Sequence, residues 1–115
     1  MNDDSVYLRH IDDCLRRIEK NIAVGLDLFL ASETLQDATL RNLQTMSEAT
    51  QRLADEIKST RPEIEWARIG AFRNVLVHNY LGIDMELIWT NIERHMPALK
   101  QAIHEMILNL PDPND

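Results

Sequence analysis

The chain has 115 residues, enough for one domain that buries roughly 65% of its unfolded surface without help from disulfides or a structural metal. A net charge of −7 argues against a protein that coats nucleic acid indiscriminately, since such binding needs many Lys and Arg side chains on phosphates; it leaves a local RNA site open. Three glycines, four prolines and few aromatic residues, among abundant Leu, Ile, Ala, Glu and Arg, weigh against a sheet and for helices throughout.

Leu8, Ile11, Leu15, Ile18, Ile22, Leu26 and Phe29 recur in alternating steps of three and four, the spacing of a helix buried on one side, and predict a long first helix from Leu8 to Phe29. Cys14 lies beside that stripe. As the single cysteine it cannot close an internal disulfide, and without a CxxC companion a packed or partly exposed thiol outweighs a catalytic one. Thr34 followed by Asp37 resembles a capping box, and Leu35, Ala38, Leu43, Met46, Ala49, Leu53 and Ile57 predict a second long helix ending near Thr60. Arg61-Pro62 interrupts the pattern, because proline disfavours helical geometry in the residue before it yet suits the first turn of a new helix. A third, shorter helix is expected from about Glu63 to His78. Gly82 ends it and Asp84 caps a fourth, whose stripe is Ile88, Ile92, His95, Leu99, Ile103 and Met106; Pro97 is expected to kink or divide it.

The expected fold is therefore all-α: four main helices packed as an antiparallel bundle, with residues 1–110 forming one domain and 111–115 a flexible tail. No apolar run reaches the ~18 residues of a membrane span and no charged-then-apolar leader is present, so a soluble, cytoplasmic protein with no membrane partner is expected. His10, His95 and His104 lack metal-ligand spacing, so neither a metal site nor a cofactor is expected, and His95 is placed in the core or an interface. Trp66 and Trp89 are expected as core or interface anchors rather than as platforms for bases.

Between Lys58 and Tyr80 the charge balance reverses: four basic side chains face Glu63 and Glu65, a net of +2 that leaves −9 for the remainder. On a helical wheel Ile69, Phe72, Leu76 and Tyr80 share one arc of the third helix, bordered by Trp66 and Val77, and Arg73 falls inside it. A guanidinium there must be paired, reach a cleft or meet another chain, because an unpaired buried charge costs several kcal/mol. Glu48 is a partner for a structural ion pair. His78, five residues on, points about 140° away, so the two converge only if the helix ends near His78 or if two copies bring their sites together. A histidine at that position also serves as a simple complement to the helix dipole.

Arg73-Asn74-Val75-Leu76-Val77-His78-Asn79-Tyr80 has the form R-x4-H-x-Y, which resembles the signature of HepT-like proteins of the HEPN group, including Asn directly after Arg. R-x4-H alone is a weak pattern, but its surroundings match too: Pro62-Glu63-Ile64-Glu65-Trp66-Ala67-Arg68-Ile69 before it, Tyr80-Leu81-Gly82-Ile83-Asp84 after it, Leu40-Arg41-Asn42-Leu43 and Ser47-Glu48-Ala49 upstream, and Ile92, Pro97 and Leu99 downstream. Met46-Ser47 departs from the more apolar and smaller pair that the resemblance leads one to expect.

The resemblance implies an HEPN-like bundle and a ribonuclease toxin of a type VII-like toxin–antitoxin pair. Its implied chemistry is metal-independent: the ribose 2′-hydroxyl attacks the adjacent phosphate and leaves a cyclic phosphate end. Arg73 and His78 are the implied catalytic residues, as a guanidinium offers planar donors to phosphorane oxygens and an imidazole exchanges protons near neutral pH. Asn74 would hold a phosphate or orient the histidine, and Arg41 and Arg68 would extend the RNA track, although solvated helix faces explain both as easily. The resemblance further implies a homodimer whose cleft joins the two motifs, an RNA substrate for which transfer RNA is the suggested class, and an MNT-class nucleotidyltransferase antitoxin that adds AMP to Tyr80. Two other readings remain open on the residues: a non-catalytic HEPN module that binds nucleotide or a partner nucleotidyltransferase, and a helical adaptor with a structural Arg73.

Overall fold

Periodic apolar residues build the longest helices of the computed structural model, which describes residues 3–111, with the side chains of Asp3 and Tyr80 outside that description. Of the expected tail, 112–115 lie outside the described residues. Helix α1 (Asp3–Ile22) buries Leu8, Ile11, Cys14, Leu15 and Ile18, as its stripe requires. The first helix is shorter than expected, since Gly25 takes φ 96°, a region that glycine enters without a Cβ clash, and the chain restarts as α2 (Leu26–Ala31). Phe29 on α2 is buried with its ring centroid 5.3 Å from that of Trp89.

The cap of the next helix also differs from expectation. Ser32, in extended geometry, accepts the Leu35 N–H at 3.2 Å and starts α3 (Glu33–Arg52), so Thr34 already lies within the helix. Helix α3 stops at Arg52 rather than near Thr60, because Leu53 turns to extended geometry (ψ 141°) and places its side chain in the core. The Ala54 N–H then donates to Asp4 Oδ1 at 3.0 Å, and a separate short α4 (Asp55–Ser59) follows.

Helix α5 (Trp66–His78) begins three residues later than expected. Residues 61–65 form turns instead, in which Ile64 is buried and the Trp66 indole N–H lies 3.1 Å from the Lys58 carbonyl and 3.2 Å from that of Arg61. A single 3-10 turn (Tyr80–Gly82) leads to Asp84, whose Oδ1 accepts the N–H groups of Glu86 and Leu87 at the start of α6 (Met85–Leu108). Helix α6 passes through Pro97 without dividing.

The described residues therefore form an all-α fold, in which four main helices, α1, α3, α5 and α6, are supplemented by two short ones. Helix α1 packs on both α3 and α6, while α5 leans on α3. The core joins Leu8, Ile11 and Ile18 of α1 to Leu43 and Met46 of α3, Leu76 of α5, and Ile92 and Ile103 of α6. Ser47, in the pair that departed from the family pattern, is fully buried and donates its hydroxyl to the Leu43 carbonyl at 2.7 Å, so no polar group is stranded there. Between α5 and α6 lies a cleft of about 350 Å³ floored by Leu15, Leu43, Ile69, Phe72 and Leu99. His95 lies at this cleft and is exposed, not buried with the rest of its stripe, because α6 there faces the gap beside α5.

Asp84 satisfies two first-turn amides of α6, so Asp84→Ala is expected to lower the unfolding free energy by about 1 kcal/mol, read from urea titration.

Candidate functional site

The seam between α3 and α5 sets the site. One polar edge of α3 carries Gln44, Glu48 and Gln51, spaced to face a neighbouring helix. The Gln51 side chain reaches across to Gly70, where an added Cβ would lie 2.9 Å from its Nε2. Three residues later on α5, Arg73 Nη2 lies 3.4 Å from Oε1 of Glu48, three residues earlier on α3; the helices thus run antiparallel. Gln44 Nε2 donates to the same Glu48 oxygen at 3.2 Å, and Arg73 Nη1 donates to Asn74 Oδ1 at 3.2 Å. The Arg73 side chain is 31% exposed, and its Nε is buried with no hydrogen-bond acceptor among the described residues. The arginine on the apolar arc is therefore held by Glu48, the partner its sequence position offers.

Local packing explains why the guanidinium points there. Leu76 is buried and Trp66, Ile69 and Phe72 are half-buried, so this side of α5 is pressed onto the bundle and carries Arg73 with it. The opposite side is also largely apolar: Ala67, Ala71, Val75 and Val77 are exposed, together with Asn74 and His78. His78 ends α5 and is exposed. Five residues along an ideal helix set it about 140° from Arg73, and no hydrogen bond joins the two among the described residues. Tyr80 follows in the 3-10 turn, and its side chain lies outside the described set. Leu81, next to it, is 99% exposed, and Leu87 at the start of α6 is exposed as well.

The two remaining candidate residues lie apart from each other. Continuing the antiparallel register of the seam puts Arg41, exposed on α3, at about the level of residue 80. Arg68 lies on the other flank of α5, at the α5–α6 cleft, where it pairs with Glu65 at 3.0 Å. The structure thus joins Arg73 to Asn74, sets His78 at the end of the same helix and Tyr80 in the 3-10 turn after it, leaves Arg41 on α3 across the seam, and separates Arg68 from them.

Two contributors were missed from the sequence. Gln44 is one, though its i,i+4 spacing before Glu48 was a usable signal. The other is Arg61, which donates to Glu105 at 2.9 Å and to Glu63 at 2.7 Å, tying the segment before α5 to α6. No local pattern announces a partner 44 residues away. The hydrogen bond from Arg61, with its charge, holds the Glu105 carboxyl below the usual carboxylate range, and the hydrogen bond to Glu105 raises Arg61 in turn. Three of the four basic side chains in the 58–80 stretch are accordingly matched to carboxylates. Among the described residues, no group of three His, Cys, Asp or Glu side chains is placed to hold a metal ion, and no helix is long and apolar enough to cross a membrane.

Because the folded state lowers the Glu105 pKa, this pair's contribution to stability is present above the ordinary carboxylate range and is lost as pH falls through the lowered value. Glu105→Gln is expected to lower Tm at neutral pH, with the gap to wild type closing as the pH is taken below that range.

Comparison with known proteins bears on what this arrangement does. The family model described as Ribonuclease HepT-like matches residues 11–106. A protein of Thermococcus cleftensis named "Probable ribonuclease HepT" is 30% identical over 101 residues, which is 87% of this chain and 92% of that protein. One of Caldanaerobacter subterraneus subsp. tengcongensis, named "Putative RNase", is 28% identical over 102 residues, 88% of this chain and 91% of that protein. A Methanocaldococcus jannaschii protein named "Gamma-glutamylcyclotransferase and putative RNase" is 30% identical over 94% of this chain, which spans about half (49%) of that longer relative. No solved structure matches.

Proposed function

The chain belongs to the HepT-like ribonuclease family, and from that premise we propose that it is the toxin of a type VII-like toxin–antitoxin pair, an endoribonuclease that cleaves RNA without a metal. The carrying observation is the disposition of α5, which presents an exposed imidazole at its end and a carboxylate-held guanidinium five residues earlier. These residue types suit RNA transesterification. The 2′-oxygen attacks phosphorus as the bond to the 5′-oxygen breaks. His78 exchanges a proton with the attacking or leaving oxygen, and Arg73, with Asn74 beside it, offers donors to the phosphorane oxygens.

Arg73 and His78 occupy different sides of α5, so the reading includes a second copy. A homodimer that covers the exposed Ala67, Ala71 and Val75 would bury the apolar outer face of α5 and bring one protomer's His78 toward its partner's arginine. Pooling two motifs in one cleft would also concentrate positive charge on an acidic protein, which suits a defined RNA such as a transfer RNA better than indiscriminate binding. Arg41 would meet that RNA at the end of α5, whereas Arg68 would act from the far flank. Tyr80, two residues from His78, would be the target of an MNT-class nucleotidyltransferase antitoxin. Each AMP unit it added would bring negative charge and bulk to the RNA entrance and compete with substrate phosphate for arginine.

Inducing the wild-type chain in bacteria is expected to arrest growth and produce new RNA fragments, while Arg73→Ala and His78→Ala fold by circular dichroism and are harmless. A harmless wild type, with intact RNA and Tyr80 shown unmodified by mass spectrometry, would leave the binding-module reading in its place. Loss of folding in Arg73→Ala would favour the structural one.

A further inference from the structure

We propose that Glu48, braced by Gln44, is a positioning residue that holds the Arg73 guanidinium ready for phosphate through one long contact; this deepens the nuclease reading and rests on it. The same molecule supplies the contrast. Arg61 is clamped by two carboxylates at 2.7 and 2.9 Å, the short distances of charge-assisted hydrogen bonds that anchor a chain segment. Arg73 meets one carboxylate oxygen at 3.4 Å, and that oxygen is shared with Gln44 Nε2 at 3.2 Å. Its other contact is a neutral amide oxygen, Asn74 Oδ1, at 3.2 Å. Such contacts fix the direction of a long, rotamer-rich side chain while leaving its donors only weakly committed, so that incoming phosphate oxygens compete for them on favourable terms. The brace is built into the seam: Gln44 and Glu48 are one turn apart on α3, and the packing of α3 against α5 brings Glu48 level with Arg73. Without Glu48 the guanidinium keeps only its contact with Asn74, and each phosphate encounter must then order it anew.

The test measures RNA cleavage and, separately and without RNA, the 1H–15N resonance of the Arg73 Nε–H group, using the full chain as wild type, Glu48→Ala, Glu48→Asp and Glu48→Gln. Glu48→Ala is expected to broaden or shift the Arg73 resonance and to cut kcat/KM roughly five- to tenfold, the cost of ordering one such side chain. Circular dichroism is expected to be unchanged. Glu48→Asp keeps the charge but withdraws the oxygen by one methylene, and it gives the same readings even if the alanine variant fails to fold. Glu48→Gln retains an acceptor oxygen and keeps most of both signals. An unmoved Arg73 resonance in Glu48→Ala and Glu48→Asp overturns the proposal. So does a Glu48→Gln variant that is inactive with the resonance unchanged, which would make Glu48 a proton-transfer group. If wild type cleaves no RNA, the nuclease reading fails by itself, while the Arg73 resonance still reports whether Glu48 holds the guanidinium.

Discussion

Helix α5 is held firmly on one flank. It packs along α3 but is parted from α6 by a cleft, and its outward face is apolar too. A helix that is apolar all round is normally buried on all sides. The chain meets half of that demand internally, through Leu76, Ile69 and Phe72 against the bundle, and leaves Ala67, Ala71 and Val75 to solvent. The antiparallel register with α3 then arranges the candidate site: Arg73 meets Glu48, and His78 is exposed at the helix end.

The electrostatics follow from the same arrangement. The basic segment stands out in an acidic sequence, yet Arg61, Arg68 and Arg73 are each matched to a nearby carboxylate, which reduces the positive potential one protomer presents. These pairs are not equivalent. The Arg61 pair is short and fastens the segment before α5 to α6, so it locates the start of the site helix. The Arg68 pair is highly exposed and contributes little to stability. The Arg73 contact is the longest of the three and belongs to the residue proposed to meet phosphate.

Much of this fold was legible because its core obeys one period. The stripes of α1, α3 and α6 fall where spacings of three and four place them, and the Asp84 cap follows from residue type and position. The misses share a physical cause, in that a stripe can stay in phase while the backbone does not. Leu26 and Phe29 continue the α1 pattern across Gly25, and Leu53 continues that of α3 although it reaches the core from extended geometry. His95 keeps the phase of α6 but faces a gap that only the tertiary arrangement creates. At the site, Arg73, Asn74 and His78 were legible as a motif and Glu48 as a partner. The Arg61–Glu105 tie was not, because its partners are joined by nothing local.

The proposed completion of the chemistry across two copies follows from Arg73 and His78 lying on different sides of α5. It is tested most directly by purifying a heterodimer of Arg73→Ala and His78→Ala, co-expressed with different tags, and measuring RNA cleavage beside wild type and each variant alone. Cleavage is expected from wild type, none from either variant alone, and partial recovery in the heterodimer, where one protomer supplies histidine and the other arginine. A heterodimer as inactive as its parents, beside an active wild type, would contradict it.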